Sequence, residues 1–191
     1  MATVHTTYQE RACLTKGKHK RLEAVLRQSV TLYNKALQER SDAYRIAGVS
    51  INLYDQTRQF TAIRQDLSEW GNLDVGVGRG VLRRLDRAFK AFFRRVKAGE
   101  NPGFPRWASV HHWRTIELAG VHPGMVKQSD DGLRAYVKVK GLPVVRLRLH
   151  RPLPPSKQLK TLRLTKRPTG WYVSLGYKVA VSYTQSDAAD E

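Results

Sequence analysis

The sequence has a single cysteine, few acidic residues and no long apolar run. With only Cys13, a disulfide framework within the chain is excluded. No run of about 18 apolar residues occurs, which argues against a transmembrane helix. The opening residues, MATVHTTYQER, lack the apolar core of a signal peptide. These absences predict a protein that stays in the cytoplasm and does not enter a membrane.

Basic residues outnumber acidic residues by about two to one. The 191 residues include 34 Lys and Arg against 16 Asp and Glu, giving a net charge of +18 and a pI near 10.4. Solubility alone does not require so large an excess. The excess favours a nucleic-acid partner, with a membrane surface or an acidic protein as the alternatives.

The first half of the chain predicts one strand followed by helices. The segment ATVHTTYQERACLT alternates apolar and polar residues, which is typical of a strand. From Lys18 to Ala47 apolar residues recur at helical spacing, and Gly48 is expected to end this helix. A second helix, INLYDQTRQFTAIRQDLSEW, is expected to be capped by Ser50.

A third helix is predicted from an apolar ridge between Val81 and Val96. Its other positions carry eight cations and one acid, Asp86. An ordinary solvated face mixes both charges, so this excess predicts a helix lying along a phosphate backbone, with a basic solvent-exposed surface as the alternative. The cations are Arg79, Arg83, Arg84, Arg87, Lys90, Arg94, Arg95 and Lys97.

Asp74, in NLDVGVGRGVL, precedes this helix and has two possible roles. A catalytic carboxylate of a two-metal nuclease usually ends a buried strand, whereas SEWGN before it is polar and broken by glycine. The glycines do not complete a GxGxxG motif, because Val81 stands where the last glycine should be. Asp74 is therefore predicted to be the N-cap of the helix, with a first turn weakened by glycine.

The second half of the chain predicts a sheet. KAGENPGFPRW marks a boundary, and short alternating runs follow it. In VVRLRLHR the pattern places Arg146, Arg148 and His150 on one face. Between Gly132 and Ser186 there is no Asp or Glu, against twelve Lys and Arg. The order of strand, helices, then sheet or small barrel predicts an α+β fold.

The sequence gives little support for a zinc site or for a nucleophilic serine. A zinc site needs about four ligands, but the chain has one cysteine, and the adjacent His111 and His112 would point to opposite faces of a strand. No serine lies in a glycine elbow.

The stretch LRRLDRAFKAFFRRVKAGENPGFPRW closely resembles the signature of the OrfB/TnpB proteins of insertion sequences, which are transposon-encoded RNA-guided nucleases related to the type V CRISPR effectors. YNKALQER and VVRLRLHRPLPPSKQLKTLRLTKRPTGWYVSLGYKV match in family order, so the resemblance covers nearly the whole chain.

This resemblance implies a small antiparallel β-barrel of the wedge type with a helical bundle inserted after its first strand. The barrel is expected at residues 1–16 and 108–182, and the helical recognition lobe at 17–99. Residues 100–107 would connect them, and 183–191 would form a polar tail or a linker.

The implied partners are a guide RNA derived from the transposon end and double-stranded target DNA, with base pairing reading most of the target. Arg79 could read a guanine edge or touch only phosphate, and the two tryptophans could bind nucleic acid or pack in the core. The candidate binding residues are Arg79, Arg83, Arg84, Arg87, Lys90, Arg94, Arg95, Arg106, Trp107, Arg146, Arg148, Arg151, Lys166, Arg167 and Trp171.

The family's RNase H-like nuclease domain and zinc ribbon should begin just after DAADE. Mg²⁺ and Zn²⁺ are expected only there, so these 191 residues are expected to bind nucleic acid without cutting it, in the cytoplasm of a prokaryote and near its nucleoid. Two alternatives stay open. One is half of a split Mg²⁺-dependent nuclease that docks a separate nuclease chain; the other is a helix-turn-helix DNA-binding protein acting in transposition.

Overall fold

The computed structural model describes residues 2–181, which form seven strands, four α-helices and two single-turn 3-10 helices. The strands are β1 (Ala2–Cys13), β2 (Thr115–Glu117), β3 (Val126–Gln128), β4 (Arg134–Val137), β5 (Val145–Arg148), β6 (Leu159–Arg167) and β7 (Gly170–Val181). The α-helices are α1 (Lys16–Ala47), α2 (Leu53–Asp66), α3 (Ser68–Gly71) and α4 (Val75–Lys97), and the 3-10 turns are Pro123–Met125 and Ser156–Gln158. The predicted tail at 183–191 lies outside the described residues.

The seven strands form one antiparallel sheet in the order β2-β6-β7-β1-β5-β4-β3. The long strand β1 joins β2, β6 and β7 on one side of the sheet to β5, β4 and β3 on the other. Its residues up to Arg11 pair with β7, and Ala12 and Cys13 pair with β5. The change of partner curls the sheet into a half-barrel around β1. The expected α+β fold, with helices inserted after the first strand, is confirmed. The domain boundaries given above stay predictions.

Alternating residues of the sheet build its core. In β5 the apolar Val145 and Leu147 are buried while Arg146 and Arg148 are exposed, as the sequence pattern predicted. In β7, Trp171 and its apolar neighbours at every second position are buried. The helices join the same core through their apolar stripes, with α4 packed against α1, α2 and β2.

Helix boundaries follow local capping. The first helix ends as predicted, at Gly48, whose φ of 66° is favourable for glycine. The cap of the second helix was predicted wrongly. It is Asn52, whose side chain accepts hydrogen bonds from two backbone amides, while Asp55 completes a capping box. This helix also stops at Asp66, because Leu67 adopts an extended conformation.

Asp74 is the N-cap of α4, as predicted. Its Oδ1 accepts hydrogen bonds from the amides of Gly76 at 2.7 Å and Val77 at 3.1 Å. The glycines that follow have a packing role. A Cβ built on Gly78 would lie 2.1 Å from the Phe60 ring, and one on Gly80 would lie 2.1 Å from the carbonyl oxygen of Glu117. Glycine lets α4 approach α2 and the backbone of β2 closely.

A buried polar network ties α1, α2 and α4 together. Arg40 donates from Nε to Gln56 at 2.8 Å, and its Nη1 lies 3.5 Å from Asp86. Gln56 in turn donates to the Ala36 carbonyl at 2.8 Å, and Lys90 pairs with Asp86 at 2.9 Å. Asp86, the single acid among the predicted cations of α4, therefore balances a buried arginine as well as a surface lysine.

Within residues 2–181, none of the helices is both long enough and apolar enough to cross a membrane.

Candidate nucleic-acid interface

The exposed face of α4 carries a continuous row of cations, here called the basic stripe. At 3.6 residues per turn its six members fall on one side of the helix, and all are exposed. With a rise of about 1.5 Å per residue, the row is about 27 Å long. The basic stripe consists of Arg79, Arg83, Arg87, Lys90, Arg94 and Lys97.

Three cations in the middle of the stripe have partners within the chain. Arg83 donates to the Ala119 carbonyl at 2.7 Å, Arg87 pairs with Glu117 at 3.3 Å, and Lys90 pairs with Asp86. The other three, Arg79, Arg94 and Lys97, have no hydrogen-bond or ion-pair partner among the described residues. The stripe therefore has unpaired positive charge toward both of its ends.

Two predicted cations of α4 lie off the stripe. The guanidinium of Arg84 lies 4.0 Å from the ring centroid of Trp113, which is buried and in edge-to-face contact with Tyr33. Burial raises the pKa of the Tyr33 hydroxyl, and the nearby charge of Arg84 opposes this shift. Arg95 pairs with Glu100 at 3.8 Å. Arg84 thus helps to pack the helix against the loop before β2.

Exposed arginines face each other across the sheet. Arg134 of β4 is directly opposite Arg148 of β5, and Tyr136 is opposite Arg146. Like charges in directly opposed positions destabilise a sheet. A polyanion on this face would relieve that repulsion, so the arrangement suits a ligand rich in phosphate.

Beyond β5, Arg151 lies over the Tyr8 ring at 4.2 Å from its centroid, with its own side chain exposed. Next to it, His150 is 3.6 Å from the buried carboxylate of Glu10. Both contacts anchor the segment after β5 to β1.

The two predicted tryptophans have opposite environments. Trp107 is 62% exposed, whereas Trp171 is 1% exposed. The prediction that Trp171 faces nucleic acid is wrong, because its indole belongs to the sheet core. Beside Trp107, Arg106 is exposed. The connecting loop is fixed at its end by a pair of hydrogen bonds between the Asn34 side chain and the backbone of Ala108, at 3.0 and 2.8 Å.

Lys166 and Arg167 lie in a basic pocket of about 310 Å³ between α1, the loop before β2 and the β6–β7 turn. Lys166 bonds to Glu23 at 2.5 Å, and this hydrogen bond lowers the pKa of the Glu23 carboxyl. The pocket is also lined by His111 and by two cations that sequence reasoning missed, because they come from distant segments and follow no shared pattern: Arg27 and Arg114.

Metal ligation is not supported in the described part of the chain. Across residues 2–181, no three His, Cys, Asp or Glu side chains come together in a group that could hold a metal ion. The basic stripe and the outer arginines of the sheet are suited to electrostatic binding of phosphate.

A chain in the cryo-EM structure of the Cas12f1-sgRNA-target DNA complex has a similar fold, with a TM-score of 0.50 and 11% sequence identity. The match covers 94% of this chain and 49% of that chain, so the present sequence spans about half the length of the matched one. At this level of identity the likeness concerns the fold alone. No family model and no curated protein matches the sequence.

Proposed function

We propose that this chain is the nucleic-acid-binding part of a TnpB-like, RNA-guided system of a prokaryotic transposon, and that it binds a guide RNA scaffold together with duplex DNA beside the target. The observation that carries the proposal is the basic stripe of α4. It presents six cations along about 27 Å of one helix face, and three of them lack a partner in the described chain.

The sheet adds a second basic surface. Its outer residues Arg134 and Arg148 are directly opposed, with Arg146 on the same face opposite Tyr136, and the sequence from Gly132 to Ser186 contains no acid to neutralise them. Repulsion of this kind is a stability penalty unless an anionic ligand is present. Two basic surfaces on one chain suit a protein that holds an RNA and a DNA.

Two independent likenesses favour the TnpB and type V kind of system. The sequence from the third helix through the connecting loop resembles the OrfB/TnpB signature. The fold resembles a chain solved with sgRNA and target DNA. We assign cleavage to a nuclease domain or a separate nuclease chain, and none to the described residues of this chain.

The test is binding of the purified 191-residue chain to three labelled probes. These are an RNA transcribed from the DNA flanking its gene, an unrelated RNA of the same length, and duplex DNA, each measured between about 50 and 300 mM salt. We expect the flanking RNA to bind far more tightly than the unrelated RNA. Preference for DNA with no effect of RNA would favour a helix-turn-helix DNA-binding protein instead.

A variant series tests the stripe itself. Replacing Arg79, Arg94 and Lys97 together by Gln is expected to weaken the salt dependence of binding. The negative slope of log K against log salt should become less steep by about 3, one for each lost phosphate contact. The matched control replaces three exposed cations at the start of α1, Lys16, Lys20 and Arg21, by Gln. Equal slopes for both triple variants would refute the role of the stripe.

A further inference from the structure

An aromatic groove opens where the C-terminal ends of α1 and α4 meet the connecting loop. It has a volume of about 470 Å³. Its exposed walls include Tyr44, 68% exposed, Phe93, 54%, and Phe104, 49%. The proposed basic surfaces do not include it, and its lining includes Arg40, Tyr44, Phe89, Phe92, Phe93 and Phe104.

Ring faces and edges dominate the groove. Phe89 and Phe93 are stacked with centroids 6.2 Å apart. Phe104 meets Phe89 and Phe92 edge to face, each at 5.5 Å. The exposed rings of Phe93 and Phe104 therefore present π surface to anything that enters, and a flat heteroaromatic ring is the group that gains most from such a surface.

A buried donor lies at the same place. Arg40, which lines the groove, is 8% exposed, and its guanidinium carbon lies 5.1 Å from the centroid of the Phe89 ring. Its Nη2 is buried and has no hydrogen-bond partner in the described chain. A buried N–H without an acceptor is unfavourable. Because Nη2 has almost no accessible surface, a ligand with an acceptor on its edge would satisfy it after the Arg40 guanidinium rotates toward the groove, whereas an aliphatic side chain would not.

Cations border the groove on α4. Lys90 precedes Phe93 by three residues and Lys97 follows it by four, so both are its neighbours on the helix surface. Lys97 and the adjacent Arg94 have no partner among residues 2–181. The basic stripe thus runs directly past the aromatic groove, and a strand bound by its phosphates along the stripe would bring its bases to the rings.

We infer that the aromatic groove binds an unpaired nucleobase of a single-stranded segment. The base stacks on Phe93 and Phe104, its acceptor edge faces Arg40, and the flanking phosphates lie at Arg94 and Lys97. This inference rests on the proposed nucleic-acid-binding function and deepens it, because it adds a site for bases to a surface otherwise suited to phosphates. Paired bases in a duplex are already stacked and cannot enter.

The test compares a single-stranded oligonucleotide of mixed sequence with the same oligonucleotide carrying abasic sites, using the full chain. The variant is Phe93→Leu with Phe104→Leu, which keeps an apolar groove but removes its π surface. We expect its affinity for the intact strand to fall about tenfold at every salt concentration with the salt slope unchanged, since stacking releases no counterions. Affinity for the abasic strand and for duplex DNA should not change.

The matched control is Phe93→Tyr with Phe104→Tyr, which retains the rings and should bind the intact strand as the original chain does. Intact-strand affinity that is the same in the leucine variant would overturn the base site and leave the proposed function standing. A chain that binds neither strand nor duplex would overturn both. A mass of two chains in light scattering that falls to one when Phe93 is changed to Asp would assign the groove to a second copy and overturn the inference.

Discussion

Gly80 offers the sharpest test of how α4 is positioned. In a helix interior, alanine is favoured over glycine by about 1 kcal/mol, so Gly80→Ala would stabilise an isolated helix. Here the added Cβ would lie 2.1 Å from the backbone oxygen of Glu117, so β2 must move away from the helix. Overpacking of this kind costs about 1 to 3 kcal/mol. The shift also strains the hydrogen bond from the Ala119 amide to the Gly76 carbonyl, 2.9 Å long.

About 2 kcal/mol of overpacking, less about 1 kcal/mol of helix propensity, leaves a net loss of about 1 kcal/mol in the free energy of unfolding for Gly80→Ala, equivalent to a Tm lower by about 2 to 4 °C. The control is Gly17→Ala in the first turn of α1, where nothing lies within 4 Å of the new Cβ. It should stabilise by about 0.5 kcal/mol. Urea and thermal unfolding of both variants measure the difference. A Gly80→Ala protein as stable as the control would show that close contact with β2 is not the reason for the glycine.

Three further substitutions probe other features of the fold. Asp74→Ala should lower the free energy of unfolding by about 1 kcal/mol by removing the acceptor for the first amides of α4, while Asp74→Asn, an equally good cap, should stay close to the original; equal losses in urea unfolding would point to a need for the charge. Burial raises the pKa of Tyr177 from 10.0 to about 12, so the unfolded chain releases this proton first and stability should fall by up to about 3 kcal/mol as the pH rises from about 10 to 12. Tyr177→Phe should lack this part of the loss in unfolding curves taken across that range, and parallel profiles would contradict it. Arg40→Leu should destabilise by about 1 to 3 kcal/mol because Gln56 and Asp86 lose a buried partner while Asp86 keeps Lys90, and a double-mutant cycle with Asp86→Asn should recover part of the loss; strictly additive effects would mean that the two side chains do not interact.

Some features of the fold could be predicted because they depend on local periodicity. The cations of α4 fall on one face because they follow the helical repeat, and the exposure of Arg146 and Arg148 follows the two-residue repeat of a strand. Asp74 was identified as a cap from its position before a helix. Each of these needs only neighbours within one or two turns of the chain.

Other features depend on partners far away in sequence. The strands β2 and β3 have three residues each, too few to show alternation, and they exist because β6 and β4 pair with them. No sequence signal marks the end of α2 at Asp66, because no glycine or proline follows it until Gly71. Trp171 was wrongly assigned to nucleic-acid contact, although Val173 and Leu175 continue its buried face at every second position. Residue type alone does not distinguish a buried tryptophan from an exposed one. The aromatic groove combines residues from three separate segments and so has no local motif.

The pairing of β1 has a consequence for how the chain acquires its structure. Ala2 is opposite Val181 and Arg11 is opposite Tyr172, so within the described sheet the strand that is synthesised first pairs with the strand that is synthesised last. At about 5 to 20 residues per second, β1 waits roughly 10 to 40 s for β7, whereas the helices between them are complete much earlier. Contacts so distant in sequence make sheet closure slow, and an unpaired strand edge invites association with other chains. The helices thus fold on an unfinished sheet, and the interval before β7 emerges is the period in which a nascent chain is most exposed to aggregation.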